Sequence, residues 1–225
     1  MQSVDLKHKI VTFTNGDFEK FDMLINTIPL NTFLFLLKEP SFSSLKQAAK
    51  KLLCNSVINF NIGLNRPDIS DKHWIYLPEK KFIPYRLGFY HNFSSLMVPP
   101  GCSSLYGEIA YLHKPPMDQT TLVKNSLQQL KKLLSFSDSE MIAQRVINID
   151  HAYVIFDFWR EKNLPKLHEK LLSFNVHSIG RYGAWKYASM QESLLDGKHM
   201  AETIVDIKKT SSMIHHSEKQ NSVGL

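Results

Sequence analysis

Leu45, Ala48, Ala49, Leu52 and Leu53 recur at the three- and four-residue spacing of an amphipathic helix, and Ser44 and Gln47 stand at capping-box spacing at its start. Ile58, Phe60, Ile62 and Leu64 then alternate, which marks a half-buried strand. A second helix is predicted from about Asp118, with Leu122, Val123, Leu127, Leu130, Leu133 and Leu134 on its buried stripe. Between the two lies a β-rich stretch: His73–Leu77, Tyr85–His91 and Ser103–Tyr111, separated by Pro78, Pro84 and Pro99-Pro100-Gly101.

Closer to the start, Ile10–Thr14 and Phe18–Phe21 flank Asn15-Gly16, the signature of a hairpin with a type I′ turn. Met23–Ile28 is continuously apolar, as in a strand covered on both faces, and Pro29 ends it. Downstream, a strand is predicted over Ala152–Phe158 and a short helix after Pro165. Ser189 and Glu192 give another capping box, followed by Leu194, Leu195, Met200, Ala201, Ile204 and Val205 as an apolar face. Beyond Lys208 the pattern turns polar and predicts a frayed tail. Strands and helices interleaved in this way predict an α/β chain of mixed α+β character. It opens on a hairpin feeding an apolar strand, as if entering a sheet built elsewhere.

Composition narrows the classes. Of 225 residues, 43% are apolar and 21% charged, enough for a sizeable core and too regular for a disordered or fibrous chain. Two cysteines make no disulfide framework, which with a polar first nine residues predicts a cytoplasmic protein without a signal peptide. The longest apolar stretch, Met23–Leu37, is broken by Asn26, Pro29 and Asn31 and is too short for a membrane span. The net charge of +6 suits an anionic partner or none, but the basic residues form no stripe, so nucleic acid is not expected. GxSxG, HExxH, Cys-x-x-Cys and P-loop patterns are missing, and no metal site is predicted.

The segment Gly180-Arg181-Tyr182-Gly183-Ala184-Trp185-Lys186-Tyr187 carries the most chemistry. Two glycines flank a guanidinium, and the Ser189 helix start points free N–H groups at the same region. Phosphate or another delocalised anion suits such a place, with Trp185 and Tyr187 as stacking surfaces. The same residues also fit a glycine-rich turn with Trp185 and Tyr187 in the core.

That segment resembles the closing flavin motif of the UDP-galactopyranose mutases, within the amine-oxidase and protoporphyrinogen-oxidase-like FAD superfamily. Three further stretches are similar in family order: Trp74-Ile75-Tyr76-Leu77-Pro78-Glu79 with Tyr85-Arg86 and Asn92-Phe93-Ser94; Ala152-Tyr153; and Phe21–Leu30, the strand returning to the FAD domain. The resemblance implies the substrate-binding half of a GR2-type FAD fold, with a mixed antiparallel sheet, the returning strand and a closing helix. It divides the chain into residues 1–30 (hairpin and returning strand), 31–175 (substrate-binding domain), 176–208 (flavin-contacting motif and helix) and a disordered 209–225.

It further implies that Arg86, Arg181, Tyr153 and Tyr187 contact the diphosphate of a nucleotide-sugar, and that Asn92 and Phe93 contact the substrate. Gly180, Gly183, Trp185, Ser189, Met190 and Gln191 would contact FAD. No side chain is implied as catalytic, because flavin N5 does the chemistry. Phe93 stands where the mutases have a tyrosine, and Ser189 and Gln191 depart from bacterial and fungal patterns respectively. No GxGxxG occurs among the nine glycines, so a separate Rossmann half is implied as partner. The resulting expectation is the carboxy-terminal portion of an FAD-dependent flavoenzyme, either an oxidoreductase or UDP-galactopyranose mutase-like, acting on a nucleotide-sugar in surface-polysaccharide synthesis. An inactive remnant and a flavin-free nucleotide-sugar-binding module are the alternatives.

Overall fold

The computed structural model describes residues 1–38, 42–112 and 114–221, the last fourteen by backbone only. In chain order the strands and helices are β1 (Ser3–Asp5), β2 (Ile10–Thr12), β3 (Phe18–Lys20), β4 (Leu24–Asn26), α1 (Leu30–Phe35), α2 (Ser43–Ala49), β5 (Cys54–Leu64), β6 (Trp74–Tyr76), β7 (Arg86–Gly88), β8 (Ser103–Tyr111), α3 (Gln119–Leu134), β9 (Met141–Val154), α4 (Phe158–Leu172), β10 (Val176–Ser178), α5 (Gly180–Gly183) and α6 (Met190–Asn221). The architecture is a mixture of sheets and helices, as the pattern predicts.

The chain divides into two units. The first comprises Met1–Leu53 together with Phe156 onward, and the second is Cys54–Ile155. These boundaries differ from the expected 31 and 175. The chain leaves the first unit at the start of β5 and returns at the end of β9, so α1, α2 and α4 belong with the hairpin rather than with the large sheet.

In the first unit β1, β2 and β3 form an antiparallel meander. Its turn differs from the predicted type I′. Gly16 takes φ 93° while Asn15 stays at negative φ; Gly16 N–H donates to the Phe13 carbonyl (3.1 Å) and Phe13 N–H to that of Asp17 (2.8 Å). That geometry closes the hairpin through one bulge-type glycine instead of two left-handed residues. β4 pairs in parallel with β10, Leu24 opposite Val176 and Asn26 opposite Ser178. Its Ile25 is 42% exposed, so the strand is not covered on both faces as its apolar run predicts. Leu30, Phe33, Leu34, Leu45, Leu171 and Trp185 are among the buried residues of this unit.

Two helix starts are corrected. α2 begins at Ser43 behind Phe42, and the Ser44–Gln47 box forms no cap. α4 begins far ahead of Pro165, with the Asp157 carboxylate accepting the Arg160 N–H (2.7 Å), and Pro165 sits inside it. α6 buries Met200 but leaves Leu194 76% exposed, along with Leu195 and Val205, so its predicted apolar face is largely open. It runs through Asn221, where a frayed tail is predicted from 209; neither proline nor glycine interrupts 208–221. No helix of the described residues is long and apolar enough to cross a membrane.

The second unit is a five-stranded antiparallel sheet in the order β6-β7-β8-β5-β9. Ile58, Phe60, Ile62, Leu87, Leu105 and Ile109 occupy one face and pack with Leu122, Val123, Leu127 and Leu130 of α3. The Asp118 carboxylate caps α3 by accepting the Thr121 N–H (2.9 Å). Leu133, predicted to be buried, is exposed at the helix end.

Candidate functional site

Alternation leaves the second face of the five-stranded sheet to a different set of side chains. Tyr76, Arg86, Glu108 and Asn59 lie opposite one another across β6, β7, β8 and β5. Two residues along, the row is Trp74, Gly88, Tyr106 and Asn61. One face is therefore an apolar seat for α3, and the other is polar and aromatic.

Arg86 is the centre of that face. Its Nη2 donates to Glu108 Oε1 (2.5 Å) and to the Tyr153 hydroxyl (3.2 Å), and the Tyr85 hydroxyl donates to Glu108 Oε2. Burial alone would lower the Arg86 pKa, but the Glu108 hydrogen bond and charge outweigh it and raise it above its ordinary value. Burial, then the bond to Glu108, pushes the Tyr85 hydroxyl far above the usual phenol range. Arg86 and Tyr153, both predicted from sequence, are brought together. Glu108 and Tyr85 complete the set and are missed by sequence reasoning. A lone carboxylate in the apolar run of β8 is the available signal, but only the β7–β8 register shows its partner.

The other predicted residues of this unit separate in role. The Asn92 amide donates to the Ser70 (2.8 Å) and Lys72 (2.6 Å) carbonyls, so it fastens a loop and its N–H groups are not left for substrate. Phe93 is half exposed and stacks nearly parallel on Trp74, with ring centroids 6.2 Å apart.

In the first unit, an open pocket of about 730 Å³ lies beside Thr27, Arg181, Tyr187 and the first turn of α6. The Arg181 guanidinium lies over the Tyr187 ring, 4.9 Å from its centroid, and donates to the Ala188 carbonyl (2.9 Å). The Ser189–Glu192 capping box forms in both directions: Ser189 N–H donates to Glu192 Oε2 (2.6 Å) and Glu192 N–H to Ser189 Oγ (3.2 Å). The N–H groups of Met190 and Gln191 have no acceptor among the described residues, as at any helix start. Met190 and Leu194 are strongly exposed at the rim.

Two predicted cofactor contacts are corrected. Trp185 is fully buried (0% exposed), so its ring packs in the core and offers no stacking surface. Gly183 abuts backbone: a Cβ there would stand 2.3 Å from the Asn26 carbonyl oxygen. On that side Gly183 packs α5 closely on β4, and no ligand has room to approach there. The Gly180 N–H is also occupied, donating to Asp196 Oδ2 (3.0 Å), which Lys186 neutralises at 2.8 Å. Asp196 escapes sequence reading because it lies a turn and a half into α6.

Near this segment, His168 Nε2 sits 3.4 Å from the Ala184 carbonyl. Burial lowers the His168 pKa below its ordinary 6.5, Arg160 adds to the effect, and the Ala184 carbonyl opposes it. The unfolded chain therefore binds this proton more readily than the folded one. Its contribution to stability is present above pH 6.5 and lost as pH falls below that value. Melting temperatures between pH 7 and pH 5 should fall less steeply in His168→Gln than in wild type. An identical slope would remove His168 as a cause; His151 in the second unit, lowered chiefly by burial, contributes in the same direction.

No protein-family profile matches the chain. Among solved structures, it is similar to a reduced UDP-galactopyranose mutase, with TM-score 0.75 and 26% identity over 83% of this chain and 41% of that one. A protoporphyrinogen-oxidase-like protein from Exiguobacterium sp. 255-15 gives TM-score 0.65 and 13% identity, over 85% of this chain and 42% of the other. A fatty acid isomerase from P. acnes, described as producing CLA, gives 0.62 and 10%, over 90% and 46%. The last two likenesses establish a shared fold. The chain spans less than half the length of each of these proteins.

Proposed function

We propose that this chain is the substrate-facing portion of an FAD-dependent, mutase-like flavoenzyme acting on a nucleotide-sugar. The observation that carries the proposal is the Arg181 guanidinium at the open pocket where α6 begins. A fixed guanidinium beside unpaired helix N–H groups favours an anion by direct hydrogen bonding and by the dipole of the helix.

The residues present fit one end of a flavin. The Met190 and Gln191 N–H groups lack acceptors among the described residues, and Ser189 and Met190 line the same pocket, so a ring carbonyl or an anionic pyrimidine edge finds donors there. Bound FAD supplies a nucleophile at N5 whose reactivity depends on its redox state. Ser189 holds the helix start in place, and Arg181 binds and orients an anionic group. Tyr187 adds a hydroxyl beside Arg181. In the second unit, taken by itself, Arg86 presents a guanidinium suited to a phosphate oxygen, with the Tyr153 hydroxyl beside it and the Trp74–Phe93 pair as a flat apolar surface.

A GxGxxG-bearing FAD-binding part, on this polypeptide or another, completes the cofactor site in this reading. The expected result is a yellow complex when the chain is produced together with such a part, and UDP binding by that complex. Arg181→Ala should weaken UDP by about 1.5–3 kcal/mol, the value of one charge-assisted hydrogen bond, in a calorimetric titration. Unchanged UDP affinity in Arg181→Ala would overturn its assignment. UDP binding without flavin would instead support the flavin-free module.

A further inference from the structure

Glu108 is the least exposed charged group on the polar face of the five-stranded sheet; its side chain is 10% exposed and that of Arg86 23%. The two residues are direct cross-strand neighbours, and each carboxylate oxygen of Glu108 has its own donor: Arg86 on one, Tyr85 on the other. A carboxylate held at both oxygens and inside a sheet has little freedom to turn. The Tyr153 hydroxyl contacts the same Arg86 nitrogen, and the Tyr76 side chain hydrogen-bonds the guanidinium as well, so Arg86 is held by groups from other strands of the sheet.

This arrangement carries a cost. Arg86 Nε is buried with no hydrogen-bond partner among the described residues, and a buried ion pair is seldom better for stability than well-packed apolar residues. A fold that tolerates an orphaned donor to keep one guanidinium pose is using that pose. We propose that Glu108 is a positioning residue for Arg86, locking the guanidinium so that its exposed remainder meets a ligand phosphate preorganised, with Tyr85 locking Glu108 in turn. The inference rests on reading Arg86 as a phosphate-binding group.

Simple electrostatics and positioning make opposite predictions here. Glu108→Gln deletes one negative charge beside a guanidinium, which by Coulomb's law alone should tighten binding of an anion. Loss of a fixed pose should weaken it despite the favourable charge change.

The test uses the full chain, uniformly labelled with ¹⁵N, in the flavin-bound complex with the FAD-binding part, titrated with UDP by calorimetry and observed by NMR at the arginine Nε–Hε groups. Arg86→Lys assigns the Arg86 signal. In wild type that signal should be sharp and slow to exchange with solvent. In Glu108→Gln it should broaden or take the position of a mobile arginine, with UDP weakened roughly tenfold. Tyr85→Phe should move both readouts the same way by less, and carries the test should Glu108→Gln not fold. An unchanged Arg86 signal overturns the proposal whatever UDP does. Equal or tighter UDP binding by a folded Glu108→Gln also overturns it. Absence of UDP binding by wild type, with the Arg86 signal still lost in Glu108→Gln, supports the positioning and counts against the diphosphate reading alone.

Discussion

Alanine at position 183 is expected to lower unfolding free energy by about 3 kcal/mol, at the upper end of overpacking costs, whereas alanine at 180 costs about 1 kcal/mol. The two glycines share one motif and differ in what they avoid. A Cβ on Gly183 would meet the Asn26 carbonyl oxygen at 2.3 Å and Thr27 Cα at 3.2 Å. Both are backbone atoms, with no side-chain rotation available for relief. The Asn26 carbonyl also accepts the Ile179 N–H (3.0 Å), so any retreat loosens the end of the β4–β10 pair. Gly180 has open space around it but takes φ 74°, so alanine there pays only the left-handed backbone penalty. Urea unfolding of the two variants, with amide exchange read at Leu24–Asn26 and Val176–Ser178, separates them. Gly183→Ala should accelerate exchange at those six residues. Equal midpoints for the two variants would show that α5 shifts on β4 at no more cost than the backbone strain at 180, and ligand approach would again be the better account of Gly183.

What the sequence makes legible depends on how strongly burial imprints a period. β5 and α3 face each other across one apolar core, and Ile58, Phe60, Ile62 and Leu64 against Leu122, Val123, Leu127 and Leu130 declare it at periods of two and of three to four. β9 is the counterexample. It is an edge strand with Ala143, Gln144 and Arg145 all exposed, so neither face imposes a pattern; of the strand predicted over Ala152–Phe158 only Ala152–Val154 belongs to it, and Phe158 opens α4 instead. Pro165 misleads for another reason: proline favours helix starts, but the Asp157 cap is a stronger start signal and the helix absorbs the proline. Ser44 and Gln47 have capping-box spacing without the backbone turn that would make it a cap, while Ser189 and Glu192 have both.

The candidate site follows the same logic. Arg86, Tyr153, Arg181 and Tyr187 are individually visible as residues of the right chemistry in the right motif. Their local partners are not, because Glu108 reaches Arg86 through sheet register and Asp196 reaches Gly180 through the seating of α5 on α6. The motif carries the charged and aromatic groups; the groups that hold them come from register and packing.

Trp185 decides between two readings of one residue by magnitude. As a ligand-stacking surface it would be dispensable for stability; as observed, it is fully buried at φ 52°, and its carbonyl accepts two bonds from Arg160, at 3.0 Å from Nε and 2.7 Å from Nη2. Truncating a buried tryptophan to alanine costs about 3–5 kcal/mol in lost burial and cavity formation. The left-handed backbone works in the other direction, holding about 1 kcal/mol of strain that only glycine relieves. Trp185→Gly should therefore be less harmful than Trp185→Ala by about 1 kcal/mol, reversing the usual ranking in which glycine is the worse substitute. Against wild type, Trp185→Ala should still lose about 3–5 kcal/mol and Trp185→Gly about 2–4 kcal/mol, since the burial contribution exceeds the strain several-fold. Chemical denaturation of the three proteins reads both differences. Stability retained in Trp185→Ala would return the indole to the ligand, and a glycine variant weaker than alanine would mean that the backbone at 185 relaxes out of the left-handed region once the ring is gone.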